Sequence, residues 1–410
     1  MIKKFIALTL PKGYSKLLLF SMVCLSLSGI AFYTSASMNT NTQVSHLMNT
    51  AGKGFLFFVI SYFLMVRLAH LFSFKLFGKL RWLIILGMLV LLFVPRFFPP
   101  RNGAYNWIPL GFMTVQPSEF AKIVVILLMA EGLGVLPVLP WMSEKGALKK
   151  MGFFQPTKRI IEVFWLPFVV SLIYFIIVLS VQRDLGSAMV IFLIAMVIFF
   201  MAVHPFLKNT QRAALLLLIL GLGVVGFIMS PQGVELLEGL GMSGYQISRI
   251  SSLYNLFDSA NSYSTGFQQV KGLLSFSHGG LFGVGLGKSI NKYVLPEAET
   301  DYILAIIVEE LGFVAFVGIL ILYALMIFVL LNYSMKVKDE RGRLFLIGHA
   351  AYLFFHFVIN VGGVTVLIPL TGIPLLMLSQ GGSSLLAIFI TAGISQNIIA
   401  RYETSKSKGR

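Results

Sequence analysis

Predominantly apolar stretches of 17 or more residues recur ten times along the chain, at 17–35, 54–71, 82–98, 117–136, 163–181, 185–203, 213–230, 302–332, 344–364 and 373–399. A helix rises about 1.5 Å per residue, so stretches of this length match a hydrocarbon layer about 30 Å thick. The pattern predicts an all-α polytopic integral membrane protein of about ten transmembrane helices, forming one membrane domain over residues 1–410. An even number of crossings leaves both termini on one side. The first stretch follows a basic segment as a signal peptide does, but at about 19 residues it is long for such a core and is read as a retained helix. One connection breaks the pattern of short loops. Residues 231–301 form a large extracellular loop between helices 7 and 8, with apolar pieces such as 270–276 that are too short to cross and are expected to be re-entrant or interfacial.

Composition strengthens the membrane assignment, because 57% hydrophobic and 12% charged residues exceed what a soluble core can hide. The lone cysteine, Cys24, excludes a disulfide framework and a thiolate zinc site. Charge orients the bundle. Twenty-two Lys and Arg residues fall on the side of the termini and eight on the other, with Arg67 and Lys122 inside spans, so both termini are expected in the cytoplasm. The net charge of +16 then reads as topology signal and attraction to membrane lipid, and no nucleic-acid partner is expected.

Candidate chemistry concentrates in 293–312, Y-V-L-P-E-A-E-T-D-Y-I-L-A-I-I-V-E-E-L-G. Carboxylates at a membrane boundary or within a span are costly to keep and point to function. Glu297, Glu299 and Asp301 precede an apolar run, although an acid at a helix N-terminus also complements the helix dipole without any function. Glu309 and Glu310 fall near mid-membrane, where they are expected either to pair with Lys122 or to line a substrate route. In Q-P-S-E-F-A-K, from Gln116 to Lys122, Pro117 suits a first helical position, and Glu119 and Lys122 share a helix face, as an ion pair or as substrate contacts. The stretch 277–289, S-H-G-G-L-F-G-V-G-L-G-K-S, is not a Walker loop, because Phe282 stands where that spacing needs glycine. Its glycines allow tight turns and close backbone approach, while Lys288 and Lys292 remain available to a diphosphate. Trp107 is an interfacial anchor or a cavity residue; Asp184 with Arg183 caps a tight turn. Ser379, Gln380 and Ser383, around Gly381 and Gly382, are packing positions first. His349 and His356 lack convergent carboxylates, so they predict no metal site.

Taken together, these motifs resemble the SEDS family of cell-wall glycosyltransferases, the FtsW/RodA group. The resemblance rests on N-G-A-Y-N-W-I-P-L-G at 102–111, Q-P-S-E-F-A-K at 116–122, Q-R-D-L-G at 182–186 and G-Y-Q at 244–246. It continues through G-G-L-F-G-V-G-L-G at 279–287, L-P-E-A-E-T-D at 295–301, E-E-L-G at 309–312 and P-L-T-G-I-P-L-L-M-L-S-Q-G-G-S-S at 369–384. The order and spread of these motifs, over most of the chain, make the combination specific. The resemblance implies polymerisation of lipid II into glycan strands on the outer face of the bacterial cytoplasmic membrane. It maps the catalytic carboxylate onto Asp301, in a cavity under the long loop.

Sugar transfer from a diphosphate needs one carboxylate base and cationic stabilisation, so Lys292, Arg249 or Lys122, with or without a divalent cation (Mg or Mn), would balance the leaving group. Trp107, Gln116, Glu119, Asp184, Lys288, Glu297, Ser379 and Ser383 complete the expected substrate-binding set. The family more often has His at 299, Pro at 183 and Tyr at 380, so Glu299, Arg183 and Gln380 depart from it. The resemblance also implies lipid II and undecaprenyl diphosphate as ligands, a class B penicillin-binding transpeptidase and other division or elongation proteins as partners, and a division-type role. A lipid II flippase and a non-catalytic division scaffold stay open as alternatives.

Overall fold

The computed structural model describes residues 8–38, 43–101, 103–111, 113–135, 165–204, 207–239 and 266–408. Most of them are helical. The helices are α1 (Lys16–Ala36), α2 (Val44–Leu71), α3 (Phe74–Phe93), α4 (Pro117–Val135), α5 (Leu166–Ile176), α6 (Leu185–Met201) and α7 (Lys208–Ile228). They continue with α8 (Pro231–Gly239), α9 (Phe267–Gly279), α10 (Ile303–Lys336), α11 (Glu340–Val364) and α12 (Gly382–Lys408). A two-residue hairpin, β1 (Ile108–Pro109) against β2 (Thr114–Val115), leads into α4. Each of the ten apolar stretches overlaps a helix among the described residues. Seven of these are long and apolar enough to cross a membrane; the apolar helices over Leu166–Val181 and Leu185–Met201 are shorter. The remaining one, α4, carries Glu119, Lys122 and Glu131.

Burial sorts the helices. Most of α4 and α11 is buried, while α7 has no buried residue and exposes apolar side chains all round. In water such a helix would not be stable; in a bilayer its lipid-facing surface is already satisfied. Side-chain caps start α1 and α3, where Ser15 and Ser73 accept from the amides of Leu18 and Leu76. The helix α9 contains the apolar piece 270–276 and packs on α10 through Gln269, Gly272, Ser275 and Gly279, a face of small and polar residues that allows close backbone approach.

Two expected spans are not continuous helices. The helix α10 is broken at Gly312, whose φ of 79° and ψ of −179° lie outside helical space. The backbone groups freed by the break are taken up by the glycine-rich loop after α9. Val284 and Gly285 amides donate to the carbonyls of Glu309 and Glu310 (3.0 and 2.8 Å), and Phe313 and Val314 amides donate to Gly280 and Leu281 (2.9 and 3.2 Å). A broken helix at membrane depth is tolerated only with such replacement bonds. The expected span 373–399 is helical only from Gly382. Pro374 has no amide to donate, and the Ser379 hydroxyl accepts from the Leu375 amide at 2.8 Å, so the segment before it folds as a turn that re-enters the bundle.

Close backbone approach at the α10 break requires glycine. A Cβ on Gly283 (φ +77°) would collide with the Glu310 carbonyl, and one on Gly312 would collide with the Leu281 carbonyl. Gly312→Ala and Gly283→Ala are expected to cost about 1–3 kcal/mol each through strain alone, read as a lower thermal-unfolding midpoint in detergent. Gly221→Ala, on α7 with open space around it, should not lower the midpoint, because alanine is the better helix former there.

Candidate functional site

At the end of the bundle away from both described chain ends, α1 runs out beside a cavity of about 370 Å³. Its walls include Ser37, Arg101, Lys292, Glu297, Glu299 and Gln380. The acidic segment 295–301 forms one wall and is held in shape by its own side chains. Glu297 sits at φ 58° and accepts from the Thr300 hydroxyl at 2.8 Å, while Arg101 approaches it at 3.6 Å. Burial, above all, holds the Glu299 carboxyl above its usual range; His46 and Arg101 oppose that rise and Glu297 adds to it.

Asp301 follows this wall directly, half-buried, where the chain turns into α10. Its carboxylate lies beside Gly372, where an added Cβ would be 3.3 Å from Oδ2, so the 369–381 turn is packed against it. Four bonds fasten the two segments together. Asn360 Nδ2 on α11 donates to the carbonyls of both Asp301 (2.9 Å) and Ile373 (2.8 Å). The Ser379 hydroxyl donates to the Thr300 carbonyl (2.7 Å), and the Gln380 amide donates to the Glu299 carbonyl (2.8 Å).

Behind the wall lie two buried charge clusters. Glu310 accepts from the Ser35 hydroxyl (2.8 Å) and from Lys292 Nζ (3.2 Å), which also donates to the Gly287 carbonyl (2.7 Å). Glu309 gathers Ser289 Oγ (2.6 Å), His278 Nδ1 (2.9 Å), Asn291 Nδ2 (3.0 Å) and the Ile290 amide (3.1 Å). The expected pairing of Glu309 or Glu310 with Lys122 is therefore overturned, since loop donors and Lys292 already occupy both carboxylates. Lys122 instead donates to Glu119 (2.7 Å) and to His356 Nε2 (2.9 Å), and the Tyr352 hydroxyl takes the other Glu119 oxygen (2.8 Å). An ammonium only donates, so His356 carries its proton on Nδ1, facing the Pro374 carbonyl at 3.3 Å. All four side chains are inaccessible to solvent. They reach the site through Pro374, in the turn beside Asp301, and through α11, which also carries Asn360.

The remaining expected residues divide by place. Gln116, Asp184 and Ser383 come together away from the cavity: Gln116 Nε2 donates to Asp184 Oδ2 (2.8 Å), and the Gln116 amide donates to Ser383 Oγ (3.3 Å). Asp184 also caps α6 by accepting from the Ser187 amide (2.9 Å). Arg183 before it adopts φ 56°, closed to a proline. Trp107 stands with its ring 6.0 Å from the Arg101 guanidinium, and Lys288 is exposed on the glycine-rich loop. Arg249 lies outside the described residues. His349 bonds Ser395 at 2.8 Å, and no group of three His, Cys, Asp or Glu side chains arranged for a metal occurs among the described residues. Sequence reasoning missed Arg101 and Asn360 as site residues. The signals were the position of Arg101 immediately before the 102–111 motif, and an amide isolated within an apolar run in the case of Asn360.

The FtsW/RodA/SpoVE family model, described as cell cycle protein, matches residues 15–404. The chain belongs to this family. Among its relatives are the probable peptidoglycan glycosyltransferase FtsW of Bacillus subtilis (strain 168), 32% identical over 97% of this chain and 94% of that protein, and stage V sporulation protein E of the same organism, 31% identical over 84% of each. The peptidoglycan glycosyltransferase RodA of Mycobacterium leprae (strain TN) is 30% identical over 76% of this chain and 61% of its own length. The fold matches a chain of a peptidoglycan synthase complex (TM-score 0.70, 22% identity, covering 95% of this chain and 99% of that one). It also matches the RodA rod shape determining protein of Thermus thermophilus (TM-score 0.60, 24% identity, 95% and 97%). Family and fold together make this a multi-pass membrane protein of the SEDS type.

Two predictions follow from the charges. Lys122→Met leaves the Glu119 carboxylate buried without its cation, at a cost of about 3–5 kcal/mol. Lys122→Met/Glu119→Gln should recover part of the thermal stability in detergent, whereas exchanging the charges of Lys122 and Glu309 should rescue none. Because the native state holds the Glu299 proton more tightly than the unfolded chain does, ionisation of Glu299 weakens the fold as pH rises. Glu299→Gln is thus expected to raise the unfolding midpoint at neutral pH, with the gain vanishing as pH falls into the ordinary carboxylate range.

Proposed function

We propose that this protein is a lipid II-dependent peptidoglycan glycosyltransferase, with Asp301 as general base, polymerising glycan strands on the outer face of the cytoplasmic membrane. The observation that carries the proposal is Asp301 itself, a half-buried acid immediately after the 295–300 wall of a polar cavity, its backbone carbonyl clamped by Asn360 and its carboxylate beside the 369–381 turn. Family membership and the names of the relatives supply the substrate class.

The chemistry is a single displacement at a sugar anomeric carbon. Asp301 accepts the proton of the acceptor GlcNAc 4-hydroxyl, the hydroxyl oxygen bonds to C1 of the donor, and the C1–O bond to diphosphate breaks with its electron pair leaving on the undecaprenyl diphosphate. A diphosphate is so good a leaving group that no acid is required; cations are. Arg101 and Lys292 line the cavity, the former exposed and the latter bound to Glu310. Of these two, Arg101 is the better placed to meet a diphosphate first. Lys122 serves the turn instead. A divalent cation would add charge stabilisation.

Sidedness follows from the charge bias along the chain. Lys16, Lys75, Lys79, Lys336, Lys338, Arg341, Arg343, Arg401 and Lys406 belong to the end of the bundle that carries both described chain ends. That end is cytoplasmic by the positive-inside rule, and the cavity then faces outward. A class B penicillin-binding transpeptidase would crosslink the strands, and the FtsW relatives favour a division role. The broken α10 is the observation that favours the second reading, a lipid II flippase, because interrupted helices also build transport sites.

Lipid II polymerisation by the purified protein in liposomes, with its cognate transpeptidase present, separates the two. Asp301→Asn is expected to lower the rate by at least about 10²-fold, the scale of a lost general base, while leaving the unfolding midpoint near wild type. Lipid II translocation without polymer, unaffected by Asp301→Asn, would establish the flippase.

A further inference from the structure

A second cavity, of about 520 Å³, lies at the opposite end of the bundle from Asp301, where the α2–α3 corner, the α10–α11 corner and the last turns of α12 meet. Its apolar walls come from Phe72, Phe74, Val337 and Ile398, and its polar rim from Lys338, Asp339, Arg401 and Lys406. Asp339 is already bound to Arg341 at 3.2 Å, and the Arg341 guanidinium lies 5.4 Å over the Phe74 ring, bringing a further positive charge to the edge. Arg401 is fixed in place by a 2.6 Å bond from one terminal nitrogen to the Phe72 carbonyl. Lys338 and Lys406 are exposed and have no ion-pair partner among the described residues. The wall also includes Asn397, 4% exposed, which donates Nδ2 to the Ala69 carbonyl (2.7 Å) and leaves its Oδ1 without a partner among the described residues.

We infer that this groove is a binding site for the headgroup of an anionic phospholipid. The surplus of cations around one already neutralised carboxylate complements a phosphodiester. The apolar floor accepts the glycerol backbone and the first methylenes of the acyl chains, which a free phosphate does not have. The groove stands at the level where helices of a membrane protein leave the hydrocarbon layer and meet headgroups. The unpartnered, buried Oδ1 of Asn397 in the groove wall suits a headgroup that carries hydroxyls, as the glycerol of phosphatidylglycerol does. Two corners and the end of α12 converge on the groove, so a bound lipid would tie α2, α10 and α12 together at the end opposite Asp301.

Native mass spectrometry of the full-length protein in detergent, titrated with dioleoyl-phosphatidylglycerol or dioleoyl-phosphatidylcholine, tests the inference. Phosphatidylglycerol should bind in one saturable step that phosphatidylcholine does not reproduce. A surface cation contributes about fivefold in affinity to an anionic lipid, so Lys338→Gln/Lys406→Gln should weaken that step by about 30-fold. Lys338→Arg/Lys406→Arg should retain it. Lys75→Gln/Lys79→Gln removes the same charge from an exposed face of α3 outside the groove and should change it less than twofold. Equal losses in the two glutamine pairs, or no loss in either, would overturn the site in favour of general attraction to the surface. Displacement of the lipid by glycerophosphate at equal concentration would overturn it in favour of a free phosphate-ester site.

Discussion

Two adjacent carboxylates, buried where a helix breaks, are the constraint on which the candidate site depends. An ionised group in a low-dielectric interior must be met by donors or it unfolds its surroundings. Glu309 is met by the loop after α9, through Ser289, His278, Asn291 and the Ile290 amide. Glu310 is met by Lys292 and by Ser35 on α1. The loop cannot leave without abandoning the first charge, and α1 and Lys292 cannot leave without abandoning the second. The break at Gly312 and the glycine-rich loop are therefore one device, in which the carboxylates fix side chains while the freed backbone groups bond across the same gap.

From this anchor the wall of the cavity follows. Lys292 reaches back to Glu310 and to the Gly287 carbonyl, which sets the start of the acidic segment, and Asp301 ends that segment where α10 begins. On the other side, the turn before α12 is held by Asn360, Ser379 and Gln380 and, more deeply, by His356 under Pro374. The buried Lys122, Glu119, Tyr352 and His356 set is thus a support for the cover of Asp301. It satisfies its own charges completely, which leaves Lys122 no share in neutralising a diphosphate.

The two ends of the molecule divide the work by charge. The Asp301 end mixes acids and cations around a polar cavity, suited to bring together a hydroxyl and a charged leaving group. The opposite end is strongly basic, with cations around an apolar-floored groove. The proposed lipid-linked substrate stays in the same membrane as the groove's proposed ligand, so both would act on one continuous bundle of helices.

Hydrophobic length and the count of basic residues per loop sufficed to read the polytopic class, the ten apolar stretches and the expected sidedness, because each is a one-dimensional property set by membrane thickness and local charge. Asp301 stands out as a candidate in the same way, through the L-P-E-A-E-T-D motif and the expense of an acid beside a span. Partnership does not. The spacing of Glu119 and Lys122 makes that pair one of several choices, and hydropathy equally allows mid-membrane Glu309 to pair with Lys122; in the fold, Ser289, His278 and Asn291 satisfy Glu309. The interruption of α10 at Gly312 and the late start of α12 were hidden for the same reason. Hydropathy records whether a residue tolerates lipid, whereas a break in a helix is stable only when distant backbone groups arrive to replace its lost bonds, and that arrival exists only in the folded chain.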